Sequence, residues 1–206
     1  MLPQIQSVDL LLPRYAVSFC QWLDPESFLS PFLDMIGRTK VSSIVIERRH
    51  GPLDWYGPTI DVPFLNLKHL EIACASVPLR SLSYLLNRCA NLISFKLSTF
   101  DCLPPGPVFD INEAALALYS SRASLKTLKL HNHTHWPGFR SPDMSFARFG
   151  LLQDYKLEEL IFDIEDLGAL AGSKDWSNHL PTCLKSLTVS RFDAQSSTWR
   201  EELMIS

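Results

Sequence analysis

No two of the five cysteines lie close enough to make a CxxC pair. Cys20, Cys74, Cys89, Cys102 and Cys183 are scattered, and their number is odd. That argues against a disulfide framework and fits reduced thiols of the cytoplasm or nucleus. Glycine is scarce, with 8 in 206 residues. No GxSxG, phosphate loop or GxGxxG occurs, so no motif implies a cofactor. Neither sign of charge is in strong excess: 19 Lys and Arg face 22 Asp and Glu, for a net charge of −3. A nucleic-acid binder usually carries a basic patch or stripe, so that class is not expected. Apolar runs such as Leu10-Leu11-Leu12 are only a few residues long, and nothing in the sequence would span a membrane. The opening MLPQIQSVDLLLPRY shows no basic region followed by an apolar stretch of signal-peptide length.

What the chain does have is a repeat. LKTLKL at residues 125 to 130 has the form apolar-x-x-apolar-x-apolar. The same form appears in Leu67-Lys-His-Leu70-Glu-Ile72, Leu92-Ile-Ser-Phe95-Lys-Leu97, Leu157-Glu-Glu-Leu160-Ile-Phe162 and Leu184-Lys-Ser-Leu187-Thr-Val189. Val41-Ser-Ser-Ile44-Val-Ile46 is a sixth copy and Ile5-Gln-Ser-Val8-Asp-Leu10 a weaker seventh. The starts are separated by 25 to 36 residues, enough for one strand and one return segment. The last three positions alternate with the period of a strand that buries one face. Leu70, Ile72, Phe95, Leu97, Leu128, Leu130, Leu160, Phe162, Leu187 and Val189 are thereby the expected core.

Several returns carry helix signals. Asp110-Ile-Asn-Glu113 has the form of a capping box ahead of INEAALALYSS. Asp24-Pro25 and Ser141-Pro142 read as N-cap followed by Pro at the first helical position. Residues 81 to 89 suggest a short amphipathic helix, and the Gly- and Pro-rich residues 50 to 63 a loop. A strand and a return at such a period predict an α/β solenoid spanning 1–206 as one domain of six to seven irregular repeats. Its parallel sheet lines the concave side, and short helices and loops lie on the convex side.

The segments LLNRCANLISFKLS (85 to 98), SLKTLKLHNH (124 to 133), YKLEELIFD (155 to 163) and LPTCLKSLTVS (180 to 190) resemble the leucine-rich repeat family. The likeness is to the irregular repeats of fungal-type F-box proteins. Cys89 at a helix end, then Asn91-Leu92 and a strand, is similar to the cysteine-containing repeat subtype. The loop asparagine of commoner subtypes is absent, its position holding Pro13, Arg49, Ala75, Phe100, His133, Glu165 and Phe192. The resemblance implies a non-enzymatic scaffold for protein–protein interaction, a substrate receptor of a cullin-type ubiquitin ligase. Contact with the ligase adaptor is implied only if an F-box precedes this chain, since none is visible within it. Neither end shows a polar cap. The chain is then a fragment, a truncated reading of its gene, or a protein whose ends a partner covers.

The register also sorts candidate site residues. Thr127, Lys129 and His131 point away from the core, with His133 and His135 following. Successive same-face residues lie about 6.5 to 7 Å apart, a spacing that lets HxH pairs hold zinc. Asp163 on the neighbouring repeat is a conceivable fourth ligand. The alternative reading is thus a metal-binding protein or metal-dependent enzyme centred on HNHTH. Against it, Trp136-Pro137-Gly138 ends the strand, and exposed turns often hold histidine. The acidic group Glu158, Glu159, Asp163, Glu165 and Asp166 reads as a solvated face, and Cys183 as core packing.

Three outward columns are expected. The first is Ser7, Ser43, His69, Ser94, Thr127, Glu159, Ser186. The second is Asp9, Val45, Glu71, Lys96, Lys129, Ile161, Thr188. The third is Leu11, Glu47, Ala73, Ser98, His131, Asp163, Ser190. Glu71, Lys96 and Lys129 are the candidate partner contacts on this face. Trp55, Tyr56 and Trp136 are candidates in loops, since interface hot spots favour Trp, Tyr and Arg. The plainer alternative is that these aromatics cover the edge of the core.

Overall fold

The computed structural model describes residues 5–11, 32–52, 63–76, 79–99, 111–132, 152–163, 180–193 and 198–205. Eight strands form one sheet in sequence order. They are β1 (Ser7–Leu11), β2 (Ser43–Pro52), β3 (His69–Ser76), β4 (Ser94–Thr99), β5 (Thr127–Asn132), β6 (Glu159–Asp163), β7 (Ser186–Asp193) and β8 (Thr198–Ile205). Strands β1 to β7 pair in parallel, and β8 returns antiparallel to β7. The helical segments are α1 (residues 32–37), α2 (Leu79–Leu86) and α3 (Ile111–Ala117), the last followed by a 3-10 turn, Tyr119–Ser121.

The pairing register is the one the repeat implies. Ser7, Ser43, His69, Ser94, Thr127, Glu159 and Ser186 face one another in succession. The second column pairs likewise from Asp9 to Thr188. The third is paired from Leu11 to His131 and from Asp163 to Ser190. Between β5 and β6 the pairing ends at Lys129 and Ile161. Because side chains alternate faces, a slip of one residue would have exposed every apolar position.

A backbone ladder holds this register. One carbonyl ahead of each of the strands β1 to β6 accepts two N–H groups from the next repeat. Gln6 accepts from Ser42 and Ser43 at 2.9 and 3.1 Å, and Ser42 from Lys68 and His69 at 2.8 and 2.9 Å. Lys68 accepts from Ile93 and Ser94, Ile93 from Lys126 and Thr127, Lys126 from Glu158 and Glu159, and Glu158 from Lys185 and Ser186. All these bonds are between 2.7 and 3.1 Å.

Inward strand residues and the helices share one core. Ile46, Ile72, Phe95, Leu97, Leu128, Leu130, Leu160 and Phe162 are fully buried. In α2, Leu82, Leu85 and Leu86 are buried, and Cys89 follows one turn later, the spacing of a single helix face. In α3 the alanines Ala114, Ala115 and Ala117 are buried, with Leu118 beyond them. Small side chains there bring the helix backbone close to its neighbours.

Some expectations change. The loop at residues 50 to 63 begins later than the sequence suggests, because β2 runs to Pro52, which pairs with Ser76 across a bulge. Strand β8 has no counterpart in the repeat. It covers the far edge of β7, with a bulge between Val189 and Ser190. The helix starts at Asp24, Asp110 and Ser141 lie outside the described residues. Among the described residues, no helix is long and apolar enough to cross a membrane.

Parity can be tested by adjacent substitutions. Leu128→Asp places a charge in the core and should cost at least about 3 kcal/mol in chemical denaturation. Lys129→Gln removes only a partly exposed ion pair and should cost less than about 1 kcal/mol. Equal losses would contradict the register.

Candidate binding surface

Each repeat supplies outward side chains from the same three strand positions, so the face is a grid. Glu71, Lys96 and Lys129 occupy adjacent strands of its second column. The Lys96 ammonium donates to Glu71 Oε1 at 2.7 Å, directly across β3 and β4. Lys129 reaches diagonally to Glu159 Oε1 at 3.0 Å on β6. The three sequence candidates therefore meet, and each is engaged within the sheet.

His131 follows on β5 and is half-buried, opposite Ser98. Ser98 is only 6% exposed although its column faces outward. Burial pushes the His131 imidazole pKa down to about 4, and the ammonium groups of Lys96 and Lys129 push it the same way. The ring is neutral at pH 7. His133 and His135 lie outside the described residues, as do Trp55, Tyr56 and Trp136. The side chain of Asp163 also lies outside them. Among the described residues, no three His, Cys, Asp or Glu side chains come together to hold a metal ion.

Of the acidic group, the side chains of Glu158 and Glu159 are described and both are partly exposed and ion-paired, while the side chain of Asp163 and residues Glu165 and Asp166 lie outside the described residues. Glu158 lies in the turn ahead of β6 and bridges two repeats, meeting Lys126 at 2.8 Å and Lys185 at 2.5 Å. Hydrogen bonds from these two ammonium groups, Lys126 foremost, hold its carboxyl down at about 2. Glu159 is taken by Lys129. Residues at equivalent repeat positions thus become partners, a relation hidden when the acids are read as one linear cluster.

Cys183 also differs from expectation. It is exposed, not packed in the core. Its thiol donates to the Leu157 carbonyl at 3.3 Å and to that of Tyr155 at 3.6 Å. This belongs to a second ladder that the repeat pattern alone does not reveal. At four repeat starts the residue just before the start sends its side chain back to the preceding repeat. Asn66 donates to Thr39 O at 3.0 Å, Asn91 to Leu65 O at 2.8 Å and Ser124 to Ala90 O at 3.4 Å. The available signal was a polar or thiol side chain at that position. By contrast, the Cys89 thiol is buried, donates to Leu85 O at 3.3 Å, and is pushed up to about 12 by burial. It is no nucleophile at neutral pH.

The other side of the fold carries two stacked pairs. The Arg88 guanidinium lies 4.4 Å from the Tyr84 ring centre, and that of Arg122 lies 4.1 Å from the Tyr119 ring centre. Arg88 also donates to the Tyr84 hydroxyl at 2.6 Å. Buried Ser121 donates to Cys89 O, and Tyr155 to Ala115 O, tying successive returns together.

Comparison with known proteins gives no match to a family model, a curated protein or a solved structure.

Acid should weaken the fold in two windows. His131 titrates at about 4 when folded against an ordinary 6.5, so the unfolded chain binds the extra proton. Stability is lost as pH falls from 6.5 towards 4. Glu158 titrates at about 2 against 4.5, so its contribution is present above 4.5 and lost as pH falls through 2. Urea midpoints measured against pH should lose the first slope in His131→Asn and the second in Glu158→Gln. Unchanged slopes would contradict these placements.

Proposed function

We propose that the chain is a leucine-rich-repeat-type solenoid acting as a non-enzymatic scaffold that binds another protein. The observation carrying this reading is the shared register of seven parallel strands, which repeats the first two outward positions without a break from Ser7 to Thr188. Such a face offers a wide, rigid array of polar side chains, and repeat proteins use extended surfaces of this kind for binding. The array is chemically mixed, with hydroxyls beside paired acids and bases. That composition favours recognition by charge and hydrogen bonding.

The resemblance to F-box-associated repeats extends the reading to substrate recognition for a cullin-type ubiquitin ligase. This step is analogy, since fold does not fix function. It requires an F-box joined to these repeats. The compartment that fits it is the cytoplasm or nucleus.

Affinity purification from native-host lysate, followed by mass spectrometry, tests the scaffold. Wild type is run beside Lys96→Glu with Lys129→Glu, and beside the exchange Lys96→Glu with Glu71→Lys, which keeps the ion pair. Far-UV circular dichroism confirms folding of each. A partner retained by wild type and lost from the double reversal is expected. Absence of any partner, together with about one zinc per chain in the eluate, would overturn the reading and turn attention to His131, His133 and His135.

A further inference from the structure

The six residues leading into each of β2 to β7 form entry turns, at residues 37–42, 63–68, 88–93, 121–126, 153–158 and 180–185. Together they hold eight Lys and Arg against two acids, Asp154 and Glu158, a net +6 on a chain whose whole charge is −3. The outward face of the sheet differs, since Glu71 and Glu159 there neutralise Lys96 and Lys129. Two ladders set the turns in one row. The backbone acceptors Ser42, Lys68, Ile93, Lys126 and Glu158 are the last residues of successive turns. The side chains of Asn66, Asn91 and Ser124 each bond to a carbonyl in the turn before. With strands about 4.8 Å apart, six turns extend about 24 Å along one rim of the sheet.

Arg38, Lys40, Lys68, Lys126, Lys156 and Lys185 are exposed on this rim. Lys126 and Lys185 share Glu158, and Arg38 meets Asp34. Lys40, Lys68 and Lys156 have no carboxylate partner among the described residues. Apolar side chains lie beside the charges. Of the six large apolar side chains exposed among the described residues, four border the rim: Ile5, Met35, Leu65 and Tyr119. Leu65 is inside an entry turn and is 58% exposed. The Met35 carbonyl accepts from the Arg38 N–H, and the Tyr119 ring carries the Arg122 guanidinium. Ile5 directly precedes Gln6, the first acceptor of the backbone ladder.

We infer that this rim docks on an anionic phospholipid surface, with its lysines against the headgroups and Leu65 and Met35 entering the boundary with the acyl chains. The attachment is peripheral and does not depend on the scaffold reading. Salt screens exposed charges beyond about 8 Å, so a surface in contact meets the sign of the rim and not that of the whole chain. Interfacial binding combines two terms, attraction of basic side chains to anionic headgroups and burial of nearby apolar area. The rim offers both in one row. Nucleic acid would engage the charges and leave Ile5, Met35 and Leu65 in water.

The test is co-sedimentation of the full chain with vesicles, of phosphatidylcholine alone or with about one-third phosphatidylserine to supply the negative surface. Binding to the phosphatidylserine vesicles is expected, weakening as salt rises, with little binding to phosphatidylcholine alone. Lys40→Gln with Lys68→Gln should weaken it about 25-fold, at about fivefold for each charge near an anionic surface. Leu65→Ser should weaken it at low and high salt alike, because apolar burial is not screened. Asp154→Asn should tighten it. That exposed change removes no lysine, so it remains informative if the lysine variants fail to fold, which far-UV circular dichroism reports. Equal binding to both kinds of vesicle overturns the proposal. So does no binding by wild type and Asp154→Asn, or unchanged binding by the folded double lysine variant. Unchanged binding by Leu65→Ser overturns the lipid contact. A single-stranded oligonucleotide or polyglutamate bound more tightly than the phosphatidylserine vesicles would assign the rim to another polyanion and overturn the lipid source.

Discussion

One carbonyl in each of six successive repeats accepts two amide hydrogens from the next, and this shared acceptor sets where strands β2 to β7 begin. Gln6, Ser42, Lys68, Ile93, Lys126 and Glu158 hold the role in turn. Backbone polar groups near a core must find partners, and the constraint here is met in the same way at each junction. The returns can then differ in length while the strand starts stay aligned. Repeat starts are 25 residues apart in one place and 36 in another, yet the outward columns do not shift.

Packing follows from that alignment. Each repeat sends two or three large side chains inward, and fully burying such a side chain contributes about 1.5–3 kcal/mol. The side-chain ladder from Asn66, Asn91, Ser124 and Cys183 ties the turns, and the Ser121 and Tyr155 hydroxyls tie the returns. Most of these bonds join neighbouring repeats. At the far edge of β7, β8 supplies an antiparallel partner. The first strand is less protected: Leu11 is 69% exposed, and Val8 and Leu10 are only partly buried.

The strands are legible in the sequence because two signals agree. Alternation identifies the buried face, and recurrence across the chain identifies its partners. Leu128 and Leu130 can be placed in the core, and Thr127 opposite Glu159, without any structure. Ion pairs are not legible in the same way. Whether Lys129 reaches Glu159 or lies free depends on the conformations of two long side chains. Cys183 misleads because a thiol next to Leu184 looks apolar, while its turn position gives it carbonyls to bond. Strand β8 escapes detection because it breaks the repeat and pairs in the opposite sense. The HNHTH stretch crosses out of β5, and only His131 of its three histidines lies among the described residues.

The outward face is therefore a consequence of the ladder beneath it: Lys96 and Lys129 oppose each other only because Ile93 and Lys126 fix their strands. Amide hydrogen exchange, resolved by residue, tests that dependence most directly. The amides of Ile93, Lys126, Thr127, Glu158 and Glu159 should be protected to the level of Leu128 and Leu130, exchanging only with global opening. Exchange of these five at the rate of exposed turn amides, while Leu128 and Leu130 stay protected, would contradict the ladder and the register built on it.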